Sequence, residues 1–162
     1  MKESTKNNIK TYIIAIAIPL AVGLLSAFLT KDNMSLYSEI NSPPLAPPAW
    51  LFPVAWTVLY VLMGISSALV YIDRKAEPIA AKAALTSYAV SLVFNFFWSI
   101  IFFNLRAYLF AFLWLAAMLY FIIRTILLYK KVKPLAAYLQ LPYALWVAFA
   151  GYLNIAIYFL NM

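Results

Sequence analysis

Three stretches of the chain carry polar and aromatic residues at helical spacing inside segments otherwise too apolar for water. Tyr88, Ser91, Asn95 and Ser99 recur at three- and four-residue steps and so share one helix face, flanked by Trp98 and Phe102. Pro53, Trp56, Tyr60, Met63 and Ser67 fall within a narrow arc, as do Pro142, Tyr143, Trp146, Ala150 and Asn154. None of these side chains is a formal charge. The chemistry open to them is recognition: indole and phenol faces stack on a flat apolar molecule, and a carboxamide supplies the hydrogen bond that orients it. The same spacing also suits plain packing. An asparagine bonding across helices contributes about 1 kcal/mol with no ligand present. Aromatics near span ends (Trp50, Tyr71, Tyr108, Tyr129, Tyr138) fit an interfacial belt.

Absences narrow the chemistry further. The chain has no cysteine and no histidine, which removes the thiolate nucleophile, the disulfide, the commonest general base and the usual haem ligand. All 5 acids (Glu3, Asp32, Glu39, Asp73, Glu77) sit at loops or ends. A proton-coupled antiporter keeps a carboxylate or histidine at membrane depth, so that class is set aside. Hydrolytic triads, phosphate loops and metal clusters are missing. No conventional enzyme, metal site or fixed cofactor is expected.

The elements that must position these residues follow from composition. Hydrophobic residues make up 67% of the 162-residue chain and charged residues 10%. A soluble fold of this size cannot hide so much apolar surface, whereas a bilayer acts as its solvent. Five apolar stretches are each long enough to cross: about 9–30, 49–72, 79–103, 107–129 and 135–160. The expected fold is all-α, one domain over residues 1–162, a bundle of five transmembrane helices. The short basic lead reads as the start of a retained helix rather than a cleaved signal. Between the first two spans, the loop 31–48 holds the stiff run Asn41-Ser42-Pro43-Pro44-Leu45-Ala46-Pro47-Pro48, suited to a lid or to a rigid spacer.

Charge sets orientation. Of 12 basic residues, all but Lys31 and Arg106 fall on one side if the N-terminus is inside. The positive-inside rule then places the N-terminus in the cytoplasm and the C-terminus outside, for a protein of the cell membrane. The net charge of +7 lies in clusters beside spans, which favours anionic lipid and excludes a nucleic-acid face.

Three segments carry a specific resemblance. Pro47-Pro48-Ala49-Trp50 with Trp56-Thr57-Val58-Leu59-Tyr60-Val61-Leu62-Met63-Gly64 resembles the second-helix signature of the TspO family, the translocator or tryptophan-rich sensory proteins. Asn95-Phe96-Phe97-Trp98-Ser99 is similar to its third-helix motif, and Leu141-Pro142-Tyr143-Ala144-Leu145-Trp146 through Asn154 to its fifth. The resemblance implies a five-helix bundle, usually a homodimer, with a pocket beneath the first loop. It implies that the ligand is a tetrapyrrole such as protoporphyrin, or another planar hydrophobic molecule. The implied pocket residues are Tyr37, Trp56, Tyr60, Asn95, Trp98, Ser99, Trp146 and Ala150. Some bacterial members are reported to promote light- and oxygen-dependent porphyrin breakdown. If that chemistry runs here, Trp56 and Trp146 are the expected electron donors. The chain departs from the family at Leu45, where a tryptophan is common, and at Gly151, often threonine. Neither Tyr152 nor Tyr158 is followed by the Lys or Arg of the animal cholesterol motif, so sterol recognition is not expected. Small residues at Ala80, Ala81, Ala83, Ala84 and Ser87 suggest close helix approach in a dimer.

Overall fold

In lipid a backbone must satisfy its own N–H and C=O groups, and a run of apolar residues does this most directly as a helix. The computed structural model describes residues 2–162, with side chains from residue 6 onward. Five long helices result: α1 (Lys2–Thr30), α3 (Leu51–Asp73), α4 (Pro78–Ser99), α5 (Tyr108–Val132) and α6 (Pro134–Leu160). The loop after α1 contains the one-turn α2 (Leu36–Glu39). All five long helices are long and apolar enough to cross a membrane. The 23 residues of α3 span about 35 Å at 1.5 Å per residue, enough for a hydrocarbon core of about 30 Å.

The helices close into a ring in the order α1, α3, α6, α5, α4. Met63, Val70, Leu115, Met118, Ile122, Val147 and Ile157 fill its centre. Glycine sets the closest approach. A Cβ on Gly64 would run into the Ile16 backbone, so α1 and α3 touch main chain to main chain there. Polar atoms tie the other seams: Ser66 Oγ donates to the Ala136 carbonyl at 2.7 Å, Trp114 Nε1 to the Phe94 carbonyl at 2.8 Å, and Ser87 Oγ to the Phe121 carbonyl at 3.1 Å. Lys133 and Asp73 pair at 2.8 Å between the α5–α6 junction and the end of α3.

Several expectations change. A proline inside a span can kink it, and Pro53 and Pro142 differ in this. Pro53 lies in the first turn of α3, where no intrahelical N–H is needed, so it starts the helix instead. Pro142, inside α6, does interrupt the backbone ladder. The third span is not α-helical to Phe103. It closes in a π-helical turn, Ile100–Asn104, capped by Leu105 N–H bonding the Ile100 carbonyl at 3.0 Å. Arg106 follows in the left-handed region at φ 52°, the sharp reversal that a three-residue connection demands. Tyr129, placed in the interfacial belt by sequence, is fully buried. Of the small residues considered for a dimer face, Ala81, Ala84 and Ser87 are buried within the bundle itself.

Candidate ligand pocket beneath the first loop

A cavity of about 400 Å³ opens between α1, α3, α4 and α6, under the loop that carries α2. Such a volume lies within the range of small-molecule sites, which are mostly apolar with a few placed polar groups. Trp56 and Tyr60 sit on its wall one helical turn apart, their rings stacked at 5.5 Å and 26°. From α4 come Asn95, Trp98 and Ser99, and from α6 Ala150 and Asn154. The π-turn brings Phe102 and Phe103 to the same wall. Tyr37 closes the top from the loop, its ring edge-on to Phe52 at 5.0 Å.

The polar groups are held before any ligand arrives. Tyr60 donates to Asn95 Oδ1 at 2.7 Å, and Asn95 Nδ2 donates to the Tyr143 hydroxyl at 3.4 Å. That hydroxyl reaches Met118 Sδ at 3.6 Å on α5. A second chain runs from Trp98 Nε1 to Asn154 Oδ1 at 3.2 Å, and from Asn154 Nδ2 to the Tyr108 carbonyl at 2.7 Å. Each buried carboxamide is thus oriented by two partners. Among the lining residues there is no carboxylate, amine or guanidinium. The wall offers an apolar surface with a few neutral hydrogen-bonding groups, and no charge.

The roof is fastened by hydrogen bonds. Tyr37 donates to the Pro47 carbonyl at 2.9 Å, and partial burial pushes its phenol pKa up. Tyr152 of α6 donates to the Pro44 carbonyl at 2.9 Å. Asn161, just past α6, accepts from the Asn41 N–H at 2.9 Å and donates to the Asn41 carbonyl at 3.0 Å. Leu45 takes φ 67° between the prolines. At the side the wall is thinner: Leu24 and Ala27 on α1, and Pro53 and Thr57 on α3, line the cavity and are exposed on the bundle surface. The cavity therefore reaches the lipid-facing edge between these helices.

Of the eight pocket residues that the resemblance implies, all but Trp146 line this cavity; from the three helical stripes, Met63, Ser67, Tyr88, Ser91, Pro142 and Tyr143 do not. Trp146 stands one layer back, edge-to-face with Trp56 at 6.4 Å and with Phe52 at 6.0 Å. Its Nε1 is buried without a partner among the described residues. It packs edge-on against the Trp56 ring rather than lining the cavity.

The profile of the TspO/MBR family matches residues 15–160. The chain belongs to the TspO/MBR family. It is 34% identical over 154 residues to the tryptophan-rich protein TspO of Chlorobaculum tepidum, covering 94% of this chain and 97% of that one. It is 32% identical over 144 residues to the tryptophan-rich sensory protein of Cereibacter sphaeroides, covering 89% and 85%. The translocator protein of Ovis aries is 31% identical over 138 residues, covering 85% and 82%. Family membership and five spanning helices make this an integral membrane protein.

Reasoning from sequence left out what α1 contributes to this TspO/MBR pocket. Gly23, Ser26 and Thr30 line it, and a Cβ on Gly23 would collide with the Tyr60 ring. The signal was present: Gly23, Ser26 and Thr30 repeat at three- and four-residue steps in an otherwise aliphatic helix. Ser26 Oγ also donates to the Phe96 carbonyl at 3.1 Å, locking α1 to α4 beside the cavity.

Proposed function

We propose that the chain is a membrane receptor or translocator that binds a planar, largely apolar ligand, a tetrapyrrole such as protoporphyrin, in the cavity beneath the first loop. The observation that carries this reading is the wall itself: the Trp56–Tyr60 stack faces a cavity whose hydrogen-bonding carboxamide is already held by Tyr60 and Tyr143. A flat ring against Trp56 gains dispersion and stacking, while Asn95 orients it. The names of the relatives, translocator and sensory proteins, accord with a role in moving or reporting such a molecule. In the working arrangement the N-terminus is cytoplasmic, the pocket lies in the outer half of the cell membrane, and the protein is a homodimer.

Light-dependent breakdown of the bound tetrapyrrole is the second reading. It is favoured by Trp56 on the cavity wall with Trp146 behind it, two oxidisable indoles in series at 6.4 Å. Titrating purified protein with protoporphyrin, by quenching of tryptophan fluorescence in the dark and then under illumination, tests both. Saturable quenching that weakens at least tenfold in Asn95→Ala supports binding. New absorbance bands in light, lost in Trp56→Phe, would add chemistry. A folded sample without saturable quenching would reject the receptor reading and favour a scaffold in which these aromatics only pack.

A further inference from the structure

At the opposite end of the bundle, where α3 ends and α4 begins, lies an open groove of about 680 Å³. Arg74, Lys75 and Lys82 stand on its rim. Ala81, Leu85 and Ala89, at four-residue steps, form its floor along one face of α4. Two of these are alanines, and Leu85 and Thr86 carry the longer side chains of the trough. From Pro78 to Ala89 it runs about 16 Å along the helix, close to half the hydrocarbon thickness of a bilayer. One end is cationic and sits at the membrane surface; the rest, Thr86 apart, is apolar and descends into the leaflet.

The charges are available. Asp73, the nearest acid on α3, is taken up by Lys133 at 2.8 Å, the one ion pair among the described residues. Glu77 is the other carboxylate at this turn; it is exposed and places no side-chain cap on α4. Arg74 is held in place, its guanidinium 3.8 Å over the Tyr71 ring and Nη1 donating to the Tyr71 carbonyl at 2.5 Å. The uncapped start of α4, opening on Pro78, adds the positive end of a helix dipole at the same spot.

We propose that this groove is a binding site for an acidic phospholipid, its phosphate on the Arg74–Lys75–Lys82 rim and one acyl chain along Leu85 and Ala89. A soluble anion would meet only the rim and leave the trough unused. A zwitterionic lipid would fill the trough, but its ammonium would face three cations.

The test is native mass spectrometry of the full-length protein in detergent, titrated with dioleoylphosphatidylglycerol, dioleoylphosphatidylcholine or inorganic phosphate. The site predicts at least tenfold preference for phosphatidylglycerol. At roughly fivefold per cation removed, Lys75→Gln with Lys82→Gln lowers that affinity about 25-fold. Lys130→Gln with Lys131→Gln, equal in charge on the same end but outside the groove, changes it less than twofold. Ala89→Trp blocks the trough with every charge intact and also weakens the lipid. Equal loss in both lysine pairs would overturn the proposal in favour of diffuse attraction. Full competition by inorganic phosphate, with Ala89→Trp silent, would overturn it in favour of a simple anion site.

Discussion

At the scale of single residues, two glycines behave in opposite ways, one lining the pocket and one not. Gly23 lets the Tyr60 ring lie against α1, so Gly23→Ala must push the phenol off Asn95. Overpacking of this kind costs about 1–3 kcal/mol. The expected result is a roughly tenfold weaker ligand and a lower melting midpoint, read by titration and thermal unfolding in detergent. Gly151 is the contrast. A Cβ there meets nothing closer than Phe112 Cε2 at 3.9 Å, and the helix loses flexibility in the unfolded chain. Gly151→Ala should therefore stabilise α6 by about 0.5–1 kcal/mol with affinity unchanged. Trp56, Tyr60 and Asn95 were legible from sequence because polar and aromatic residues at helical spacing in an apolar span point inward. The position of Trp146 was not, because spacing gives a helix face and not the layer on that face. It shares an arc with Ala150 and Asn154, yet its indole packs behind Trp56.

Among the elements, the first loop roofs the cavity. Its far edge is held to the bundle by the Asn161–Asn41 pair and by Tyr152 donating to Pro44, and its near end by Asn33 donating to Asn104. Asn161→Ala with Tyr152→Phe removes the far-edge bonds without touching the cavity wall. Hydrogen exchange at residues 36–46 should then accelerate, and ligand association and dissociation should both speed up while affinity moves less than threefold. If exchange in the loop is unchanged, these bonds do not fasten it. The five spans could be read from hydropathy because lipid leaves the backbone few alternatives. The π-turn at Ile100–Asn104 and the short α2 were not legible. Both depend on tertiary fit: the turn to α5 is only a few residues long, and Leu36 of α2 is buried under the roof.

For the whole molecule, the ring of helices separates two environments, an uncharged cavity at one end and a cationic groove at the other. The cavity wall holds no carboxylate, amine or imidazole, and Tyr37, with its phenol pKa pushed up by burial, stays neutral through the same range. Affinity for a planar ligand with no ionisable group of its own should therefore be flat from about pH 5 to 8. A sigmoidal change, measured by tryptophan quenching with such a ligand rather than with protoporphyrin, whose propionates titrate themselves, would reveal a titrating group in the site. The central claim is that the ligand occupies this cavity. Ala150→Phe fills the cavity from α6 while leaving Trp56, Tyr60 and Asn95 in place. Protoporphyrin titration of this variant, with helix content and melting midpoint unchanged, should show saturable quenching lost or weakened more than tenfold. Wild-type affinity in a folded Ala150→Phe protein would place the ligand elsewhere and contradict the account.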